Sequence, residues 1–384
     1  MIRIQKIDLY VLRYPIDNPV RTSFGVMHDR PAVLVRVEDG DGAFGWGEIW
    51  CNFPTCGAEH RYALCKTVAA PLLFDGEYDS PDQAFEAITR KTHILALQAR
   101  EPGPLANTAA GVAGALWDLE ARRAGMPLYQ YMFLGEDGEV PSGFIPGYAS
   151  GINSAGAVEN VKRHKDLGFN RFKVKIGFEF QDDLQVIEDV LSVLDESDTL
   201  CVDVNQGWTL EEARKRIRIL GRYPLGWIEE PIASDHGPME FAELNNINDI
   251  PIACGENIYG LDEFRQYARI HALGVIQPDA CKWGGPGMCL AVARATLDAG
   301  LIYCPHFLGA GIGLWTSAHI LAAAGGPGQL EVDINHNPLQ NMLGSPAPAL
   351  ENGGYQLPGK PGIGVDPDLD AAAGYILQHE TLER

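Results

Sequence analysis

Apolar and polar positions follow two successive grammars along this chain. Residues 2–14 and 32–39 (AVLVRVED) alternate with period two, the turn DGDG follows at 39–42, and a third run leads through Gly45 to Ile49. That pattern predicts three antiparallel strands. Helical apolar spacing then takes over at 57–72, 81–96 and 105–124, the last stopping near Gly125 before Pro127. Strands followed by helices predict an α+β domain over residues 1–130.

After about residue 140 strand-like and helix-like runs alternate strictly. Strands are expected near 145–150, 170–176, 200–204, 225–229, 251–255, 274–277, 301–305 and 329–332. Helices are expected over 154–167, 181–195, 209–220, 238–247, 260–270, 285–298 and 311–324. Such an order predicts an α/β barrel, a (β/α)7–8 TIM-like barrel over 140–344. Beyond Gly344 the Pro- and Gly-rich LPGKPGIGVD predicts irregular chain, and 345–384 is expected to return and complete the first, capping domain.

Chemistry rides on the barrel period. Lys175, Asp203, Glu229, Glu256, Asp279, His306 and Glu331 follow one another at intervals of 23 to 28 residues, about the length of one strand, one helix and two loops. A barrel gathers its active site from successive strand ends, so the interval points to an enzyme. In RFKVKIG, Phe172, Val174 and Ile176 share one strand face and Lys173 and Lys175 the other. With the apolar face against the helices, both ammonium groups point into the barrel. Two close cations depress each other's pKa, which would suit Lys175 to act as a base. A solvated lysine pair is the ordinary fate of a KxK sequence, and strand parity is what argues against it here.

The same parity turns Asp203 and Asn205 inward in CVDVNQG, Glu229 in GWIEEP and Glu256 in IACGENIYG. Each acid alone is more often a cap or an ion-pair partner. Three on adjacent strands would repel unless a cation held them, and ligands that are all oxygen favour Mg2+ over zinc. Across the barrel, Asp279 in QPDACKWGG and His306 in YCPHFLG stand one unit apart. A carboxylate on one ring nitrogen would fix the tautomer and leave the other nitrogen to exchange a proton; a capping Asp and a structural His are the plainer alternative. Glu331 in QLEVD faces inward, either to hydrogen-bond a substrate carboxylate when protonated or to pair with lysine.

Composition narrows the partners. Thirty Lys and Arg against 51 Asp and Glu leave a net charge of −21, which repels phosphate backbones and anionic lipid surfaces. Nucleic acid and membrane partners are therefore not expected. The opening MIRIQKIDLYVLRYPI alternates like a strand and has no signal-peptide core, so a cytoplasmic location is expected. Eight scattered cysteines without a paired CxxC predict buried thiols; Cys51 and Cys56 lie in a polar loop.

Taken together, KxK, DxN, WIEEP, GEN, PDxxKxGG and PHF with Glu331 resemble the mandelate racemase subgroup of the enolase superfamily, over almost the whole chain. GALWDLEARRAGMPLYQYM is similar to the last helix of that family's capping domain, and PGIGVD to its closing segment. The resemblance implies a Mg2+ site of Asp203, Glu229 and Glu256, with Asn205 near the metal. Lys175 would be the base on one face of a small-molecule carboxylate substrate, with Lys173 holding the carboxylate. Asp279 and His306 would serve the opposite face, and Glu331 would be the electrophile. Symmetric homo-oligomers are common among such relatives. Muconate cycloisomerase-like members carry a lysine where this chain has Asp279, and Lys282 does not replace it, so a mandelate racemase-like arrangement is favoured.

Proton abstraction α to a carboxylate can end in racemisation or epimerisation, or in loss of a β-hydroxyl to give a 2-keto acid. Specificity loops are expected at about 21–30 and 50–60. Their Arg21, Thr22, Ser23, His28, Asp29, Asn52 and His60 favour a sugar acid, whereas Trp50, Phe53 and Pro54 suit a less polar hydroxy acid or a cyclic amino acid. Asn205, Lys282, Trp283, His28 and Trp50 are the candidate substrate contacts. A barrel that binds a carboxylate without turning it over is the alternative of another class.

Overall fold

The computed structural model describes residues 1–23, 25–135 and 139–384. Strands β1 (Ile4–Arg21), β2 (Val26–Asp39) and β3 (Phe44–Ile49) form an antiparallel meander. β1 and β2 are longer than their alternation predicts. Pro15 and Pro19 remove ladder donors, the register shifts between Pro15 and Val20, and pairing then resumes at Val20 with Met27. The resulting hairpin arm reaches over the second domain.

Helices α1 (Gly57–Leu64), α2 (Ala70–Phe74), α3 (Pro81–Ala99), α4 (Pro102–Arg123) and α5 (Leu128–Met132) follow, with a π-helical turn at Cys65–Ala69 between the first two. α4 lies on the sheet through Val112, Leu116 and Leu119, which pack with Leu9, Val33 and Val35. The two elements approach closely because β3 presents glycine there. A Cβ on Gly47 would stand 2.1 Å from the Gly111 carbonyl oxygen and 2.7 Å from the Ala115 nitrogen.

The second domain is the barrel. Its strands are β4 (Phe144–Ile152), β5 (Arg171–Lys175), β6 (Thr199–Asp203), β7 (Leu225–Glu229), β8 (Ile252–Cys254), β9 (Val275–Ile276), β10 (Ile302–Tyr303) and β11 (Leu330–Asp333). Each of β4 to β9 pairs with the next in parallel, and β11 pairs with β4. Among the described residues no ladder joins β10 to β11. The intervening helices are α6 (Ala157–Asp166), α7 (Phe180–Leu191), α8 (Leu210–Leu220), α9 (Pro238–Asn245), α10 (Leu261–Arg269), α11 (Gly285–Asp298) and α12 (Gly311–Ala324), close to the intervals their periodicity predicts.

Strand parity divides the barrel's packing in two. Phe172, Val174, Val202 and Ile228 join the layer between strands and helices. Tyr148, Cys201, Trp227, Ala253, Val275 and Cys304 form a separate apolar plug inside. Two positions further along the same faces come Ser150, Asp203, Glu229, Gln277 and His306, all buried. Polar groups are thus stacked on an apolar floor.

The tail carries more regular structure than its composition suggests. After α13 (Pro338–Met342), strands β12 (Leu350–Glu351) and β13 (Gly354–Gln356) form a hairpin on Phe144–Pro146 of β4. The Pro- and Gly-rich stretch 357–366 is irregular, and β14 (Ile376–Glu383) then pairs antiparallel with β1 in the capping sheet. No described helix is long and apolar enough to cross a membrane.

Replacing Gly47 with alanine puts a methyl group into backbone. The expected outcome is a loss of roughly 1–3 kcal/mol of stability, seen as a lower urea midpoint at unchanged m. An unchanged midpoint would mean that this glycine does not set the α4–β3 separation.

Candidate active site

The carboxyl ends of the barrel strands open beneath the capping domain into a cavity of about 610 Å3. Lys173, Lys175, Asp203, Asn205, Glu256, Lys282, His306 and Glu331 line it from the barrel, and Val20, Thr22, Ser23, Trp50 and Phe53 from the cap. Glu229 and Asp279 stand directly behind, under Lys173 and His306 respectively. Of the candidate substrate contacts, Asn205, Lys282 and Trp50 reach the cavity. His28 is exposed on β2 outside it. Trp283 also stays outside, because its ring packs between Phe85 at 6.2 Å and Phe264 at 5.7 Å.

Three of the polar loop residues are engaged elsewhere. Asp29 pairs with Arg13 at 2.7 Å, His60 with Glu101 at 3.2 Å, and Asn52 donates to the Leu308 carbonyl at 2.6 Å. The Arg21 side chain lies outside the described residues. Thr22 and Ser23 alone of that set line the cavity. Further polar lining comes instead from the barrel's Gln206, Asn257 and Asn335.

Charges in the cavity are matched one against another. Lys173 bridges Glu229 and Glu331, the latter at 2.7 Å. Lys175 lies 3.0 Å from Asp203, and Lys282 lies 2.9 Å from Glu256 and 2.7 Å from the Asn257 amide oxygen. His306 places Nδ1 2.8 Å from Asp279 and Nε2 3.3 Å from Glu256. These contacts favour the charged forms of Lys175 and Glu331. Burial and Lys173 both work against the Lys175 ammonium, but Asp203 outweighs them and raises its pKa. Burial would also raise Glu331, yet Lys173 and His306 hold it down to about 2. Glu331 thus takes the second of its two expected roles, as a partner of Lys173, and is further anchored by Ser150 Oγ at 2.5 Å and the Phe307 N–H at 3.1 Å.

His306 is altered by its surroundings as well. Burial disfavours the imidazolium, but Glu256, Glu331 and Asp279 outweigh it and lift the pKa to about 9. Glu256 is correspondingly held well below the carboxylate range: burial opposes this, and His306 with Lys282 prevails.

Several residues here escaped the sequence patterns. Glu230, the second acid of WIEEP, should point outward by parity. Instead its φ of 40° turns it back, where it accepts from Asn257 Nδ2 at 2.9 Å and Gln206 Nε2 at 3.2 Å. Burial, with Glu256 and Asp203 nearby, pushes its pKa well above the ordinary value. Asn205 and Gln206 are left-handed too, at 52° and 65°. Non-glycine residues in that region carry a cost and gather at functional sites. Gln277 donates to Glu229 at 2.8 Å, and its inward parity in IQPD was the available signal. Glu48 of β3 is buried against α12; burial pushes its carboxyl up to about 7, against two backbone N–H bonds, with Asp279 adding to the rise. Seven cysteines, Cys51 among them, are buried as expected, and Cys56 is exposed.

The acids suit a hard cation in kind and placement. Asp203 and Glu229 are register partners, and Glu229 pairs with Ala253, three residues before Glu256. Every donor is oxygen, and the buried Asn205 Oδ1 beside them has no hydrogen-bond partner. Among the described residues no three acidic, histidine or cysteine side chains are drawn into a ligand cluster. Each acid instead holds a side-chain cation: Lys175 on Asp203, Lys173 on Glu229, and Lys282 on Glu256.

Cap, barrel and a polar cavity at the strand ends together define an enolase-type architecture. Residues 156–372 match the family described as Enolase C-terminal domain-like, and residues 6–133 match the Mandelate racemase / muconate lactonizing enzyme, N-terminal domain. The chain belongs to the enolase superfamily, in its mandelate racemase and muconate lactonizing branch, and is an enzyme of the lyase or isomerase kind found there. A structure described as mandelate racemase/muconate lactonizing enzyme from Bordetella bronchiseptica RB50 is 46% identical, with a TM-score of 0.90, covering 97% of this chain and 99% of its own. An arabinonate dehydratase from Saccharolobus solfataricus is 26% identical over 94% of this chain and 96% of its own. A racemase from Streptomyces coelicolor A3(2) with bound magnesium is 25% identical, with a TM-score of 0.84, covering 97% of this chain and 100% of its own. Named relatives thus include dehydratases and racemases, and cycloisomerases as well.

The raised histidine carries a pH signature. With a folded pKa of about 9 against about 6.5 unfolded, the His306 contribution is full below the unfolded value and is lost as pH rises through the folded one. Melting curves of metal-free wild type and His306→Asn are expected to converge between about pH 6.5 and 9. A constant difference across that window would show that His306 is not protonated in the fold.

Proposed function

We propose that this enzyme removes the proton α to the carboxylate of a sugar acid and expels the β-hydroxyl, giving a 2-keto-3-deoxy acid with magnesium as cofactor. The observation that carries this is the pair Lys175 and His306, which line one cavity from non-adjacent strands. Two proton-transfer groups on different walls can reach different faces of one substrate carbon.

Asp203, Glu229 and Glu256 would hold the ion. When bound, it supplies positive charge against the enediolate that forms as the α proton leaves. Lys173, anchored by Glu331, offers its ammonium to a substrate carboxylate oxygen. Lys175 takes the proton in its neutral form, which requires it to leave Asp203 first. His306, with Nδ1 fixed by Asp279, presents Nε2 and its proton to the departing hydroxyl. Water is lost, and the resulting enol becomes the 2-keto acid. Ser150, Thr22, Ser23, Asn257 and Asn335 surround the space with donors and acceptors for the remaining hydroxyls.

Racemisation or epimerisation is the second reading, favoured by the apolar wall of Val20, Trp50 and Phe53. There His306 would return its proton to the α carbon instead.

Lys175→Ala is expected to lower α-proton exchange from one substrate enantiomer by about 10²-fold or more, and His306→Asn to do so from the other where it returns a proton to the α carbon, or to lower 2-keto acid formation to the same extent where it serves the departing hydroxyl. NMR of the substrate in D2O reads both, and unchanged exchange in both variants would remove the two-base assignment. Glu229→Ala is expected to weaken Mg2+ binding in calorimetry; equal affinity would exclude it as a ligand. Screening sugar acids for 2-keto acid formation, beside a racemisation assay, separates the two outcomes.

A further inference from the structure

The capping domain touches the two walls of the cavity unequally. On the histidine side, β3 and the chain after it make several bonds to the loops that carry Asp279 and His306. The Glu48 carboxylate accepts from Ala310 N at 2.6 Å and from Gly313 N at 2.8 Å, at the start of α12. Asn52 Nδ2 donates to Leu308 O at 2.6 Å, and Trp50 N donates to Cys281 O at 3.2 Å. On the lysine side, the backbone around Lys175 is held by the barrel itself: Ser154 Oγ donates to Lys175 O at 2.8 Å and Ile176 N donates to Asp203 O at 2.8 Å.

We infer that Glu48 is a positioning residue through which the seated capping domain fixes the loop that carries His306; its bonds do not reach the Lys175 wall, which the cap meets instead through Ser23 Oγ on the Asn205 carbonyl at 2.5 Å. α12 has no side-chain cap of its own at Ala310. A helix start leaves N–H groups unsatisfied, and in the buried junction they need an acceptor. Glu48 supplies it from 262 residues away. Gly309 makes the approach possible, because a Cβ there would stand 2.5 Å from Glu48 Oε1. Losing the carboxylate would orphan both N–H groups, at the end of the 306–310 segment that carries the histidine.

This inference rests on the two-wall reading of proton transfer, and its test is built on Glu48→Ala and Glu48→Gln. Exchange in D2O from the enantiomer served by His306 is expected to fall about 10- to 100-fold in Glu48→Ala, with the Lys175 enantiomer within about twofold of wild type. Gln, which keeps the size and one acceptor, is expected to fall between, and it stands in for Ala should Ala not fold. Equal loss on both faces, or loss on neither, would overturn the inference. A crystal structure of the variant gives an independent decision. A shift of residues 306–310 by about 1 Å or more supports the role, and an unmoved His306–Asp279 pair defeats it. If wild type shows no exchange on either face, the two-wall reading is what has failed, and the loop position alone still decides for or against Glu48.

Discussion

The cavity exists because acids and cations buried at one end of a barrel neutralise one another. Asp203, Glu229, Glu256, Asp279 and Glu331 share a small volume with Lys173, Lys175, Lys282 and His306. Breaking a buried pair leaves an unpaired charge, which is strongly destabilising, so no member of the set is free to change alone. Their pKa values follow from this coupling. Lys173 is pulled up by Glu229 and Glu331 against its burial, Glu331 is pulled down by Lys173, and His306 is lifted by the acids around it. Asp203, Glu229 and Glu256, which would hold a divalent ion, are the same carboxylates that hold Lys175, Lys173 and Lys282.

Beneath the charges, the barrel provides a rigid floor. Tyr148, Cys201, Trp227 and their neighbours fill the interior, and the Lys173 ammonium sits 5.8 Å from the Tyr148 ring centroid. Side chains that rise from a packed layer on short parallel strands have little freedom, so functional groups on successive strands hold their spacing without help from a ligand. The left-handed residues Asn205, Gln206 and Glu230 cap this arrangement at the strand ends. Their conformations are sustained by contacts such as Asn205 N to Asp203 Oδ1 at 2.7 Å and Gln206 N to Glu230 O at 2.8 Å.

The capping domain does more than close the cavity. Arg30 of β2 is buried in an ion pair with Asp333 of β11, Ser23 donates to the Asn205 carbonyl at 2.5 Å, and Glu48 reaches the start of α12. β14 ties the end of the chain back to β1, so cap and barrel are joined covalently at both ends of the barrel sequence. Cap residues thus bond directly to the barrel segments that line the cavity.

Strand and helix positions were legible because parity and helical period are local properties that packing on a common core enforces. The inward set Lys173, Lys175, Asp203, Glu229 and Glu331 follows from a two-residue repeat, and a 23 to 28 residue interval brings the strand ends together. Which groups face which depended on contacts between distant segments. Glu230 returned to the site through one left-handed residue, Trp283 was lost to an aromatic cluster, and His28 was left on the wrong side of its strand. The proton on Glu331 and the charge on Lys175 were equally out of reach of local pattern, because a buried group's pKa is set by partners that only the closed barrel places within a few ångströms.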